Sequence, residues 1–264
     1  MNIYLYADPA SCLDWQELIG FLGGELDGAT SAALRGDLLA QLSEPDLERI
    51  ARRLAEIRIL GLNDRGLNPE PYPIEIDYER RNLKLKGAKC FGPVYSGFHF
   101  QALLGELIPP QERSFDFLHI IFTNQRLATW EGGRWHLRTI LLSFPVVIST
   151  TGLVEAPARE REYYLLSCVD QAQAEQWLAQ QQNHLEYNDP RMTEILKGYL
   201  WQALLWQIAL CDGRDFSFCA HKDCSLYNSH WQRELFVAQY GGRLCEAHRK
   251  AWCEYLLADK AYDS

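Results

Sequence analysis

Four residues near the C-terminus carry the clearest chemical signal in this sequence. Cys219 and Cys224 stand five apart; after twenty residues, Cys245 and His248 stand three apart. Two paired-ligand turns separated by a modest loop suit a tetrahedral metal site, and three thiolates with one imidazole satisfy Zn²⁺. The expectation is one structural Zn²⁺ per chain, held in a knuckle over residues 219–248. His221, inside the first turn, and Cys253, two helical turns beyond Cys245, are alternatives to His248 as fourth ligand. A site closed by four protein ligands leaves no position for water, so it stabilises rather than catalyses. Binding energy of the order of ~10 kcal/mol then becomes folding energy of the C-terminal quarter.

Other reactive side chains carry weaker signals. His230 and Glu234 stand four apart in a stretch of helical pattern, so they would share a helix face as a metal pair or an acid/base pair. They are the candidate catalytic residues, against the plainer reading of a helix-surface contact. His119 and His136 read as satisfied histidines of a core or edge strand. Cys12, Cys90 and Cys168 stand alone and read as small buried hydrophobes. Arg80, Arg81, Lys84, Lys86 and Lys89 form the basic run, which reads as a solvated hairpin or, alternatively, a site for an acidic partner.

Elements to position these groups are visible in the hydrophobic pattern. Residues 2–7 read as a first strand. Residues 11–27 read as a helix with Ser11 as N-cap, and 30–37 as a short strand. Ser43-Glu44-Pro45 opens a second helix with Leu47, Ile50, Leu54 and Ile57 on one face. Residues 1–62 thus form a β-α-β-α part, and the loose stretch 63–73 separates it from a second part, 74–264, unless the chain is one continuous domain. Residues 115–123 read as a central strand, 130–135 as a turn into the strand 135–142, and 146–149 as a further strand leading to a turn at Thr150-Thr151-Gly152. Helices are expected over 159–182, over 190–210 with Asp189 as N-cap and Pro190 at N1, and around 229–240 and 246–257. Residues 2–7, 115–123 and 135–142 should share one mixed sheet, with the helices over 11–27 and 190–210 packed on it. The fold class is α/β, with α+β as the alternative.

Composition bounds the function. The chain has 264 residues, 47% apolar and 23% charged, which suits a folded domain and excludes global disorder. A net charge of −9 makes nucleic acid a poor partner. The longest apolar stretch, 199–210, is interrupted by Gln202 and Gln207 and is shorter than the ~20 residues of a membrane span. The N-terminus shows neither the basic nor the apolar region of a signal peptide, so a cytoplasmic location without a membrane is expected.

The pattern Cys219-x₄-Cys224-x-Leu226 followed by Cys245-x₂-His248 resembles the C-terminal zinc signature of the archaemetzincins. These are zincin-type metallopeptidases with a catalytic HExxHxxG helix upstream of a CxxxxCxM turn and a closing CxxC. The chain is more similar still to a mainly prokaryotic branch of metallopeptidase-like proteins lacking HExxH, over the stretches 118–124, 148–157, 189–194 and 224–232. These span about the last 150 residues. The resemblance implies a mixed sheet with flanking helices and a zinc-bound C-terminal segment. Where a zincin carries two His four apart beside a Glu, the helix over 197–210 offers Trp201, Gln202, Trp206 and Gln207. Leu226 stands in place of the Met-turn methionine, and His248 in place of a cysteine. The implied function is a zinc-binding metallopeptidase relative with a degenerate catalytic helix and no peptidase activity. The alternative is a zinc-stabilised scaffold for a protein or peptide partner.

Overall fold

A computed structural model describes residues 1–8, 12–26, 31–40, 42–61, 63–85, 92–213 and 218–262. Its elements run β1 (Asn2–Tyr6), α1 (Trp15–Glu25), β2 (Ser31–Arg35), α2 (Glu44–Glu56), α3 (Pro73–Lys84), β3 (Val94–Ser96) and α4 (Gly97–Leu107). After a 3₁₀ turn at Pro110–Glu112 come β4 (Phe117–Thr123), β5 (Arg126–Glu131), β6 (Arg134–Leu137), β7 (Ile140–Leu141), β8 (Val146–Ser149) and α5 (Thr150–Glu155). The chain ends with α6 (Arg161–Ser167), α7 (Gln171–Ala179), α8 (Met192–Asp212), α9 (Gln232–Gln239) and α10 (Glu246–Tyr262). No helix among the described residues is long and apolar enough to cross a membrane.

The expected α/β class holds. A five-stranded sheet has the order β2-β1-β4-β8-β7, parallel except for the β7 edge. A parallel sheet is buried on both faces, so its strands read as continuous apolar runs. Ile3, Leu5, Leu118, Ile120, Val146 and Ile148 fill one face. Tyr6, Ile121 and Val147 meet Ile50 and Leu54 of α2 and Phe100, Leu103 and Leu104 of α4 on the other. The strand over 135–142 is a correction to the single-sheet expectation. It breaks into β6, which pairs with β5 at one edge of a separate three-stranded sheet of order β3-β5-β6, and β7, which joins the large one. Gly132 and Gly133, both at positive φ, form the hairpin turn between β5 and β6.

The described chain groups into two compact units. One unit comprises Met1–Trp15 and Gly28–Gly152, the other Gln16–Asp27 and Leu153–Ser264. The physical reason is β1, which pairs with β4 along its whole length and so ties the first residues to the strand at 117–123. Most of α1 belongs to the second unit. There, Phe21 meets Trp201 edge-on and Glu17 accepts from Lys197 Nζ at 2.7 Å. Helix α8, and α1 beyond Trp15, are elements of the second unit.

Ser43 is the N-cap of α2, its hydroxyl accepting from Asp46 N, as expected. Ser11 lies outside the described residues. The basic run is helical, not a hairpin, up to Lys84: α3 places Arg80 and Arg81 against Asp77, and Lys84 Nζ 3.1 Å from Glu44. Lys86 and Lys89 lie outside the described residues. Thr150-Thr151-Gly152 opens α5 rather than forming a turn. The helix over 159–182 divides because Asp170 stops α6 and caps α7, accepting from the backbone of Ala172 and Gln173. Asp189 lies before α8, with Oδ1 bound to Arg191 N at 2.9 Å; the helix starts at Met192, two residues beyond Pro190. Cys12 and Cys168 are exposed, contrary to the buried reading, and Cys90 lies outside the described residues.

Candidate metal centre

The two ligand-bearing turns are built differently. In the first, Cys219 N donates to Leu226 O at 2.9 Å, and Cys224 N to His221 O at 3.1 Å. These bonds fold residues 219–226 back on themselves and aim both sulfurs inward. In the second, Cys245 sits just before α10 and accepts from Arg249 N at 2.8 Å. His248 is then in the first helical turn, three residues on, so the imidazole returns beside the thiol.

One ligand atom from each of Cys219, Cys224, Cys245 and His248 lies within 4.8 Å of every other. Cys219 Sγ is 3.8 Å from Cys245 Sγ, and His248 Nδ1 is 3.6 Å from Cys224 Sγ and 3.1 Å from Cys245 Sγ. With Zn–S near 2.3 Å and Zn–N near 2.0 Å, a tetrahedron has edges of about 3.8 Å between sulfurs and about 3.5 Å from sulfur to nitrogen. These three separations lie within about 0.4 Å of those edges, so the cluster has the size that a bound ion needs. Cys253 is exposed and outside the cluster. His221 Nδ1 approaches Cys219 Sγ at 3.3 Å, but from the exposed rim.

The electrostatics ask for a cation. Burial pushes the Cys224 thiol up to about 12, so its thiolate needs a positive charge beside it. Backbone N–H groups help: Cys245 N points at Cys224 Sγ at 3.5 Å and His221 N at Cys219 Sγ at 3.4 Å. Burial, followed by the charge of His221, lowers the pKa of His248 and favours the neutral imidazole that a metal requires.

Side-chain amides anchor the cluster from neighbouring helices. Gln202 of α8 donates to Ser225 O at 2.7 Å, next to Cys224, and Gln239 of α9 donates to Tyr227 O at 3.3 Å. Trp201 donates to Gly242 O at 2.9 Å and meets the buried Trp252 of α10 edge-on. Helices α8 and α9 touch at Gly198, where a Cβ would fall 2.7 Å from Gln239 Cα. In the sequence Trp201 and Gln202 stand only as residues in place of a zincin's ligands; their anchoring role is visible in the structure alone. Two glutamines in an otherwise apolar helix were the available signal, because a buried amide needs partners.

His230 and Glu234 do not form the pair their spacing suggested. Helix α9 begins at Gln232, so His230 lies outside it. Its carbonyl accepts from Ala158 N at 2.8 Å in an extended bridge. The Glu234 carboxylate turns back to cap the backbone N–H groups of His230 and Trp231, at 3.0 and 3.3 Å. His119 is a satisfied core histidine, bonded to Tyr6 Oη at 2.9 Å and Glu112 O at 3.0 Å. His136 is a surface histidine, near Glu131 O at 3.1 Å.

No curated protein and no solved structure matches this chain. A family model does, under the description "Probable metallopeptidase family (DUF6775)", over residues 1–255. With almost the whole length matched, the chain belongs to that probable metallopeptidase family.

Proposed function

We propose that this protein is a metallopeptidase relative, close to the archaemetzincins, whose Zn²⁺ is structural and whose peptidase chemistry has been lost. The observation that carries the reading is the convergence of Cys219, Cys224, Cys245 and His248 into one tetrahedron-sized cluster. When bound there, Zn²⁺ would supply cross-linking of the 219–248 segment and not water activation, since all four positions are protein ligands. Water activation needs an open metal position with a general base beside it. Helix α8 instead spends Trp201 and Gln202 on backbone carbonyls. Glu234 spends its carboxylate on a helix cap.

The purified protein should carry about one zinc per chain and show no chelator-sensitive cleavage of a broad peptide library, even with zinc added. Full zinc content in a Cys219→Ser, Cys224→Ser double variant would overturn the metal assignment. Robust cleavage that disappears on chelation, returns with zinc and is lost in His230→Ala or Glu234→Ala would overturn the inactivity. A scaffold that presents a surface to a protein or peptide partner is compatible with the same zinc. Nucleic acid stays outside the proposal because the chain carries a net −9. The cytoplasm, where thiols stay reduced, is the compartment that such a cysteine site suits.

A further inference from the structure

His119 of β4 is fully buried in the first unit. It stands opposite Tyr4 in the strand register, and the rings of Tyr4, Tyr6, Phe117 and Phe144 lie against it. A titratable group in such a place is costly to charge.

Its hydrogen bonds run in one direction. Nε2 lies 3.0 Å from Glu112 O, and since a carbonyl only accepts, Nε2 carries the ring hydrogen. Burial, ahead of every other influence, holds the His119 pKa below its ordinary value, so the ring is neutral at neutral pH. Nδ1 then accepts from the Tyr6 hydroxyl at 2.9 Å. Burial also pushes the Tyr6 pKa up, so that hydroxyl keeps its hydrogen. Tyr6 Oη in turn accepts from Arg35 Nη1 at 3.0 Å.

Each neighbouring element contributes to this setting. β1 contributes the Tyr4 and Tyr6 phenols, β2 the Arg35 guanidinium, and the 3₁₀ turn the Glu112 carboxylate, 4.0 Å from Nε2. Phe117 of β4 and Phe144, ahead of β8, carry no charge. A second proton would sit on Nδ1 and face the Tyr6 hydroxyl. Tyr6 would accept it only by turning its own hydrogen away from its acceptor, and the new charge would repel Arg35.

Arg35 carries that repulsion to a weakly held element. Strand β2 is an edge of the five-stranded sheet and pairs there with β1. None of its five residues is fully buried. Ser31 ties one end to Asn2, and Arg35 ties the other to Tyr6 and Glu112.

We propose that Tyr6, Arg35, Glu112 and His119 form an acid-sensitive latch, which holds β2 on the sheet while His119 is neutral and releases it when His119 takes a proton. The latch is closed above the ordinary histidine value of about 6.5 and opens as the pH falls through the depressed one. Glu112, held below its ordinary value chiefly by the Arg35 hydrogen bond, stays charged over that range. The latch is independent of the zinc site and is tested on the full-length, metal-loaded protein. Amide exchange is measured from about pH 7.5 to about pH 5.5 and expressed as protection factors, which remove the pH dependence of the exchange chemistry itself. Protection in β2 should fall about two- to tenfold, tenfold being the limit for a histidine that charges only on release. Strand β8, in the same unit, should keep its protection. His119→Gln offers an amide N–H to Glu112 O and cannot charge, so it should flatten the dependence in β2. Tyr6→Phe removes the donor to Nδ1, so the His119 ring, followed by NMR, should titrate at higher pH than in the wild type. The wild-type ring, which needs no variant to fold, should titrate below about 6.5 with Nδ1 unprotonated at neutral pH. Titration at or above that value, a loss of protection in β2 under about twofold, an equal loss in β8, or an unchanged dependence in His119→Gln removes the latch.

Discussion

The two units hold their shape by different means. In the first, strands β1, β4 and β8 bury apolar side chains on both faces, and helices α2 and α4 close one of them. Stability there is spread over many side chains, each replaceable at moderate cost. In the second, the 219–248 segment is pinned at a few polar points: Gln202 on Ser225, Gln239 on Tyr227, Trp201 on Gly242. Leu226, Leu235 and Ala238 are buried there, and the four potential ligand atoms converge at one place. A distributed core fails gradually, whereas a point cross-link fails at once.

The sharpest break should come from Cys224→Ser or prolonged chelation. Either removes a contribution of the order of ~10 kcal/mol from the second unit and leaves the sheet with none to lose. Amide exchange should accelerate throughout 219–257 and stay slow in β1, β4 and β8; uniform acceleration would abolish the contrast. Next is Ile120→Ala at the centre of the sheet, which should cost about 2–5 kcal/mol in the first unit without changing zinc content. Gly198→Ala should cost about 1–3 kcal/mol by forcing α8 and α9 apart at Gln239, and should loosen metal retention, read as faster zinc transfer to a chromogenic chelator.

The smallest effect concerns Glu112, which takes both Arg35 guanidinium nitrogens at 2.6 and 2.9 Å. That bond, more than any other influence, holds the Glu112 pKa below its ordinary value. A folded pKa below the unfolded one contributes stability above the ordinary glutamate range. The contribution is lost as the pH falls through the depressed value. Glu112→Gln should lower the urea midpoint at neutral pH by the equivalent of about 1 kcal/mol, and the difference should close on acidification. A gap that widens with acid would reverse the assignment.

What the sequence disclosed follows the same division. Cys219, Cys224, Cys245 and His248 were legible because each pair is local, so spacing alone implies convergence. Strands β1, β4 and β8 were legible as apolar runs, and Ser43 as a cap. The second sheet was not, because a break at Arg138-Thr139, where Arg138 N still donates to Leu127 O but Ser149 N takes Thr139 O, is decided by partners far away. The same holds for His230: an i, i+4 spacing cannot show where a helix begins, and the bridge of 158 to 231 fixes that start from outside. Nor could spacing bring Glu17 to Lys197, across 180 residues.

The amide and indole bonds of α8 also bear on the history open to this family member. A metal ligand placed on α8 at Trp201 or Gln202 would strand a carbonyl, of Gly242 or Ser225, without its donor. A stranded buried acceptor costs about 1–3 kcal/mol before any new ligand contributes. The first mutational step is therefore deleterious whichever residue changes first, and selection would remove the intermediate. Support of the 219–248 segment by α8 thus sets a cost in stability on every metal ligand introduced at these positions.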